Sequence, residues 1–144
     1  PKIHPANAFV GNYLRLELLS RYGLPAQIKS EIVDFYLYMA DQTGTLWENV
    51  GAYASCNHGF ASHVAHDLYR DVLGVYAFDS RKKTVQLRIA DVGLEWCEGR
   101  MPTPDGPVTV RWWREGNDVA YRAEVPAGYV LTVENQTGGN LRLE

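Results

Sequence analysis

Apolar and polar positions follow two different rhythms along this chain, and the rhythm changes near its middle. Between residues 7 and 22, Phe9, Val10, Tyr13, Leu14, Leu16 and Leu18 fall at mostly helical spacing, which predicts a first helix. Gly23 and Pro25 follow at once. Glycine suits the position just past a helix and proline the first turn of one, so the pair closes the first helix and opens a second. From Pro25 to Asp41, Ile28, Ile32, Phe35 and Met39 form one apolar stripe. Helices joined this tightly are expected to be antiparallel neighbours. A third helix is predicted over 61–73, with Val64, Ala65, Leu68 and Val72 on one face, Arg70 and Asp71 on another, and Gly74 at its end.

Beyond residue 84 the period drops to two. Val85, Leu87 and Ile89 alternate with polar neighbours, as do Leu94 and Trp96, then Val108, Val110 and Trp112. Val119, Tyr121, Ala123 and Val125 continue the pattern, then Tyr129, Leu131 and Val133, and last Leu141 and Leu143. Turn residues separate these runs at Pro104–Gly106, Gly116–Asp118, Ala127–Gly128 and Gly138–Gly139. Short strands at such spacing predict a small antiparallel β-sandwich. The segment 75–84 reads as an exposed connection. The expected fold class is therefore α+β, with residues 1–76 helical and 77–144 forming the sandwich. Three helices with wide apolar faces do not close a core among themselves, so they are expected to be the tail of a larger all-α domain.

Composition narrows the field only a little. The 144 residues are 46% hydrophobic with a net charge of −3, as befits a globular chain. No basic patch interleaved with aromatics argues for nucleic acid. No apolar run reaches the ~18 residues of a membrane span. The chain opens on Pro1 and not on Met, so the lack of a leader carries no weight, and the compartment stays open. Cys56 and Cys97 cannot be paired from sequence.

The chemistry concentrates between the second and third helices, in Gly44–His58, where neither period holds. A long aperiodic stretch inside a domain is either functional or disordered. Trp47, Glu48, Tyr53, Asn57 and His58 are a poor composition for disorder. A carboxylate beside an indole, with an amide and an imidazole nearby, suits a sugar: the aromatic face stacks and the polar groups take hydroxyls or activate water. Trp47 would shield one side of Glu48 from water, which favours a carboxyl poised as a base near neutral pH. The structural alternative is a loop whose Trp plugs the core and whose Glu is solvated. Glu17, Glu31, Glu95 and Glu124 lie on polar faces of regular elements. His58 either donates to a sugar or caps the third helix. With His63 and His66 it suggests a metal cluster, but the spacing matches no ligand motif, so neither metal nor cofactor is expected. A Cys56–His58 nucleophile pair lacks an orienting acid.

Several runs resemble a known family. Gly44-Thr45-Leu46-Trp47-Glu48, Ser55-Cys56-Asn57-His58-Gly59 and Tyr69-Arg70-Asp71-Val72-Leu73-Gly74-Val75 are similar to the C-terminal end of the bacterial α-L-rhamnosidases of glycoside hydrolase family 78. The run from Trp96 through Pro102-Thr103-Pro104-Asp105-Gly106 to Trp112 resembles the small sandwich that closes those enzymes. The resemblance implies the last helices of a six-hairpin α/α barrel followed by that sandwich. It implies an inverting hydrolase, with the general acid upstream and Glu48 as general base. It places Trp47 in the rhamnose subsite and His58, with Asn57, against the substrate. It also implies that the chain by itself is an inactive fragment whose partners are a rhamnosyl glycoside and the rest of the barrel. The alternatives are another six-hairpin glycosidase with a different sugar, or a non-catalytic carbohydrate-binding module using an aromatic sandwich face such as Trp113 and Tyr121.

Overall fold

The computed structural model describes residues 8–51 and 54–144. The expected helix start at residue 7, and Tyr53 in the loop, lie outside the described residues. The chain divides into two compact units, Pro1–Asp67 and Leu68–Glu144.

In the first unit, α1 spans Phe9–Arg21 and α2 spans Pro25–Ile32. The joint forms as the sequence suggests. Leu24 N–H donates to Leu19 O and Gly23 N–H to Ser20 O, with Gly23 at φ 67°. These bonds satisfy carbonyls that the end of a helix leaves orphaned. Pro25 then starts α2, where its missing N–H costs nothing. Across the joint, Arg15 Nε and Nη2 reach Glu31 Oε2 and Oε1 at 2.6 and 2.8 Å. That pairing holds the Glu31 carboxyl below its ordinary pKa range.

The second helix does not keep one pitch. Val33–Leu37 is a π-helical turn, and α3 completes the helix over Tyr38–Thr43. A π turn takes up more residues than an α turn. The side chain fully buried there is therefore Tyr36, 3% exposed, while Phe35 of the expected stripe packs against the core only partly buried. Leu16, Ile28, Met39 and Tyr36 centre a core that Trp47, Ala61 and Val64 complete. Full burial of a Leu, Ile or Met contributes about 1.5–3 kcal/mol each. The third helical stretch opens with a 3₁₀ turn, Gly59–His63, and passes into α4, Val64–Asp67. Its expected apolar face is corrected by the structure: Ala65 and Leu68 are exposed, whereas Asp67 and Asp71 are buried. Histidine and arginine partners make that burial tolerable. Asp67 Oδ2 lies 3.4 Å from His63 Nδ1, and Asp71 Oδ2 2.7 Å from Arg70 Nε.

The second unit opens with the π-helical segment Leu68–Leu73. Seven strands follow: β1 Val75–Asp79, β2 Thr84–Ala90, β3 Trp96–Met101, β4 Val108–Glu115, β5 Asp118–Glu124, β6 Val130–Gln136 and β7 Leu141–Leu143. They form two sheets, ordered β1-β2-β6 and β3-β4-β5-β7. Most inward positions are those the alternation marked, with Val85, Leu87, Val108 and Val110 fully buried, but Trp96 and Leu143, marked with them, are 61% and 65% exposed. Two expectations are corrected. The sheets are mixed, not antiparallel, because β6 runs parallel to β2 and β7 parallel to β5. Parallel neighbours need a crossover, and here each crossover passes through the other sheet, which alternation cannot reveal. The connection expected at 75–84 also contains β1. Its period is interrupted by a register shift between Val75 and Ala77.

Gly74 separates the π-helical segment from β1. Its φ is 97°, and a Cβ there would sit 2.9 Å from Arg88 O. The close approach has a purpose, since Arg88 N–H donates to Gly74 O at 2.8 Å.

Candidate active-site loop

The loop begins where Gly44, at φ 70°, ends α3. Its two legs are then pinned together. Glu48 N–H donates to Ser55 O at 2.8 Å and His58 N–H to Leu46 O at 2.8 Å. The Thr45 hydroxyl donates to Cys56 O and shares a 2.6 Å bond with the Thr43 hydroxyl. The outer side of the same leg is also held. Phe9 N–H donates to Glu48 O at 3.1 Å, and Ala8 and Asn49 form an antiparallel bridge. Glu48 therefore sits on the middle of three backbone runs, which is why an aperiodic segment holds a defined shape.

Trp47 and Glu48, adjacent in sequence, point to different environments. Trp47 is 3% exposed and belongs to the helical core. Its indole Nε1–H donates to Thr43 Oγ1 at 2.7 Å, its backbone N–H meets Met39 Sδ at 3.3 Å, and its ring stands edge-on to Tyr38. It offers no open face for a pyranose to stack on, which favours the structural alternative for this residue. Glu48 is half-buried, and its Oε2 accepts a long bond of 3.5 Å from Ser55 N–H. Trp47 anchors the leg from inside while the carboxylate keeps access to solvent.

The other two predicted residues lie on the returning leg. Asn57 is exposed, and its backbone closes a small turn with the Ser55 hydroxyl at 3.1 and 3.4 Å. His58 precedes the 3₁₀ turn but makes no side-chain capping bond to it. Its ring packs on Phe9 with centroids 4.4 Å apart. Phe9 is thus the shared neighbour of His58, through its ring, and of Glu48, through its backbone.

The remaining candidates resolve differently. Cys56 and Cys97 are free thiols. Cys56 Sγ turns toward Ala54 O at 3.7 Å and not to an imidazole. His63 is tied between Tyr36 Oη at 2.9 Å and Asp67 Oδ2 at 3.4 Å, so it does not join His58 and His66 in a cluster. Burial, reinforced by the Asp67 charge, pushes the Tyr36 phenol well above its ordinary range. Among the described residues, Glu17, His66 and Asp67 do bring ligand-type atoms within 4.8 Å of one another. Glu17 and Asp67 both have further interactions, as befits a structural ion cluster. The Tyr36–His63–Asp67 chain was not read from the sequence. Its one signal was the i, i+4 spacing of His63 and Asp67, which places both on one helix face.

Residues 80–139 match the family model described as the bacterial alpha-L-rhamnosidase C-terminal domain. The structure as a whole is similar to a GH78 family rhamnosidase of Bacillus sp. GL1, with a TM-score of 0.82 and 21% sequence identity. That match covers 95% of this chain and 16% of the rhamnosidase chain. A search of curated proteins found no match. The resemblance read from the motifs is thus met in the sandwich by the family match and over nearly the whole chain by the fold.

Proposed function

We propose that this chain is part of an inverting glycoside hydrolase that releases terminal α-L-rhamnose, and that Glu48 is its general base. The observation that carries the reading is the seat of Glu48: a solvent-accessible carboxylate on a backbone run held from both sides. A base must stand at a fixed distance from the water it activates, and a pinned leg provides that. In this mechanism Glu48 takes a proton from water. The water oxygen attacks the anomeric carbon from the face opposite the leaving group, while an acid from another part of the enzyme protonates the departing oxygen. The two carboxyl groups must stand about 6.5–9.5 Å apart to admit the water.

Asn57, exposed beside the returning leg, and His58, braced on Phe9, are placed to meet sugar hydroxyls. Trp47 serves by positioning Glu48 from the core. The rest of the proposed barrel would pack on the helices. Val10, Leu14 and Leu18 support this, since each is about half exposed and they recur every four residues along one side of α1. The test uses the full-length enzyme with an aryl α-L-rhamnoside and follows the first-formed anomer by proton NMR. Inverted rhamnose is expected. Retained configuration, or cleavage of aryl glycosides of other sugars in place of the rhamnoside, would overturn the assignment.

A further inference from the structure

On the β3-β4-β5-β7 sheet, Val108, Val110 and Trp112 face inward, so Thr109, Arg111 and Trp113 face outward. Strand register brings Trp96 directly opposite Trp113, and Arg111 directly opposite both Glu98 and Arg122. Trp96 is 61% exposed. The Trp113 ring is fixed by its Nε1–H bond to Glu115 Oε1 at 2.9 Å. Both guanidinium carbons lie 5.7 Å from the centre of that ring. Arg111, Trp113 and Arg122 together line an open recess of about 210 Å³.

Two like charges directly opposed across a strand pair are destabilising. Glu98 offsets part of this, with Oε2 3.6 Å from Arg111 Nε. Arg122 forms no ion pair among the described residues. The Arg111–Arg122 pair therefore presents two planar forks against the one carboxylate bonded to it, Glu98, beside a pair of indoles.

We propose that this outer face is a binding surface for a glycan bearing uronic acids, a function that does not rest on the reading of Glu48. The C–H face of the pyranose lies on Trp96 and Trp113. Its carboxylate is accepted between Arg111 and Arg122, whose planar donor geometry matches two carboxylate oxygens. A neutral sugar would use the indoles but leave the arginine pair uncompensated. A nucleic acid fits less well, because Glu98, Glu115 and Glu124 share the face and the chain's net charge is −3.

The test measures binding of a short oligogalacturonate to the intact protein by calorimetry. Its arms are the methyl-esterified oligomer, which keeps the rings and loses the charge, and polyglutamate, which keeps the charge and lacks the rings. Binding of the acid form is expected, with at least about tenfold weakening on esterification, the scale of a lost charge-assisted hydrogen bond. Arg122→Gln should weaken it by a similar factor, Arg122→Lys by less, and Trp113→Ala should abolish the preference for sugar over polyglutamate. Glu48→Gln should bind as the parent does. No binding of the acid form, equal binding of the ester, polyglutamate binding as tight as the sugar, or an unaffected Arg122→Gln whose fold is confirmed by circular dichroism would each overturn the proposal.

Discussion

Arg88 Nη2 lies 3.1 Å from Asp71 Oδ1, with the carboxylate wholly shielded and the guanidinium stacked 3.6 Å from the centre of the Tyr76 ring. Arg88 occupies a position of β2 that alternation marks as polar and outward. It is nevertheless 9% exposed, because the π-helical segment packs over that side of the strand. Removing Arg88 takes away one of two guanidinium groups on Asp71, since Arg70 Nε stays 2.7 Å from its other oxygen. Arg88→Ala should therefore cost about 1.5–3 kcal/mol, the scale of a hydrogen bond to a charged group. Replacing both, as Asp71→Leu with Arg88→Met, should cost clearly less than the sum of the single changes. Urea denaturation of the four proteins checks this, and additive losses would contradict it.

Trp47→Ala should act on folding before it acts on sugar binding. The indole fills the helical core and satisfies Thr43, so its removal leaves a cavity and a lost hydrogen bond. A loss of about 3–5 kcal/mol is expected. Thermal unfolding measures it. A variant as stable as its parent, but with a raised KM, would return Trp47 to a subsite role.

Tyr36 links the fold to alkaline pH. Unfolded, its phenol ionises near 10; folded, it holds its proton to higher pH. Above that value the folded chain binds one proton more than the unfolded chain, so stability falls as pH rises. Tyr36→Phe should flatten this alkaline decline relative to the parent. It should also cost about 1 kcal/mol at neutral pH from the lost bond to His63. Denaturation midpoints measured on either side of pH 10 decide the matter, and identical slopes for both proteins would contradict it.

The sequence showed most of the elements and fewer of the faces. Gly23 and Pro25 marked the helix joint because each has a backbone preference that acts locally. Val85, Leu87, Val108 and Val110 marked the sandwich core because one strand period decides burial. The π turn at Val33–Leu37 was hidden, since a stripe through Phe35 and one through Tyr36 look equally apolar on paper. Parallel pairing of β2 with β6 was hidden because side-chain alternation is the same in either direction. In the loop, Glu48 was legible as a carboxylate in an aperiodic stretch. The inward turn of Trp47 stood only as one of two alternatives, because it depends on Met39 and Thr43 from the preceding helix. The burial of Asp67 and Asp71 was not legible, because their histidine and arginine partners are tertiary neighbours or share an irregular helix.

The 144-residue chain alone should not hydrolyse a glycoside. An inverting mechanism needs an acid as well as a base, and this chain spans 16% of the rhamnosidase it resembles in structure. An aryl rhamnoside assay on the purified chain, with folding verified by circular dichroism, should give no turnover above buffer. Sustained turnover would mean that both groups reside here.

The proposed role makes Glu48 a base and not a strut. Glutamine keeps the shape of the side chain, and it can keep the long contact from Ser55 N–H through its carbonyl oxygen while losing the basicity. In the full-length enzyme, Glu48→Gln should lower kcat on an aryl α-L-rhamnoside by at least about 10²-fold, the lower end of what general base catalysis contributes. KM should change little, because contacts from Asn57 and His58 survive. A folded Glu48→Gln enzyme within about threefold of the parent kcat, far short of that loss, would remove Glu48 from the mechanism.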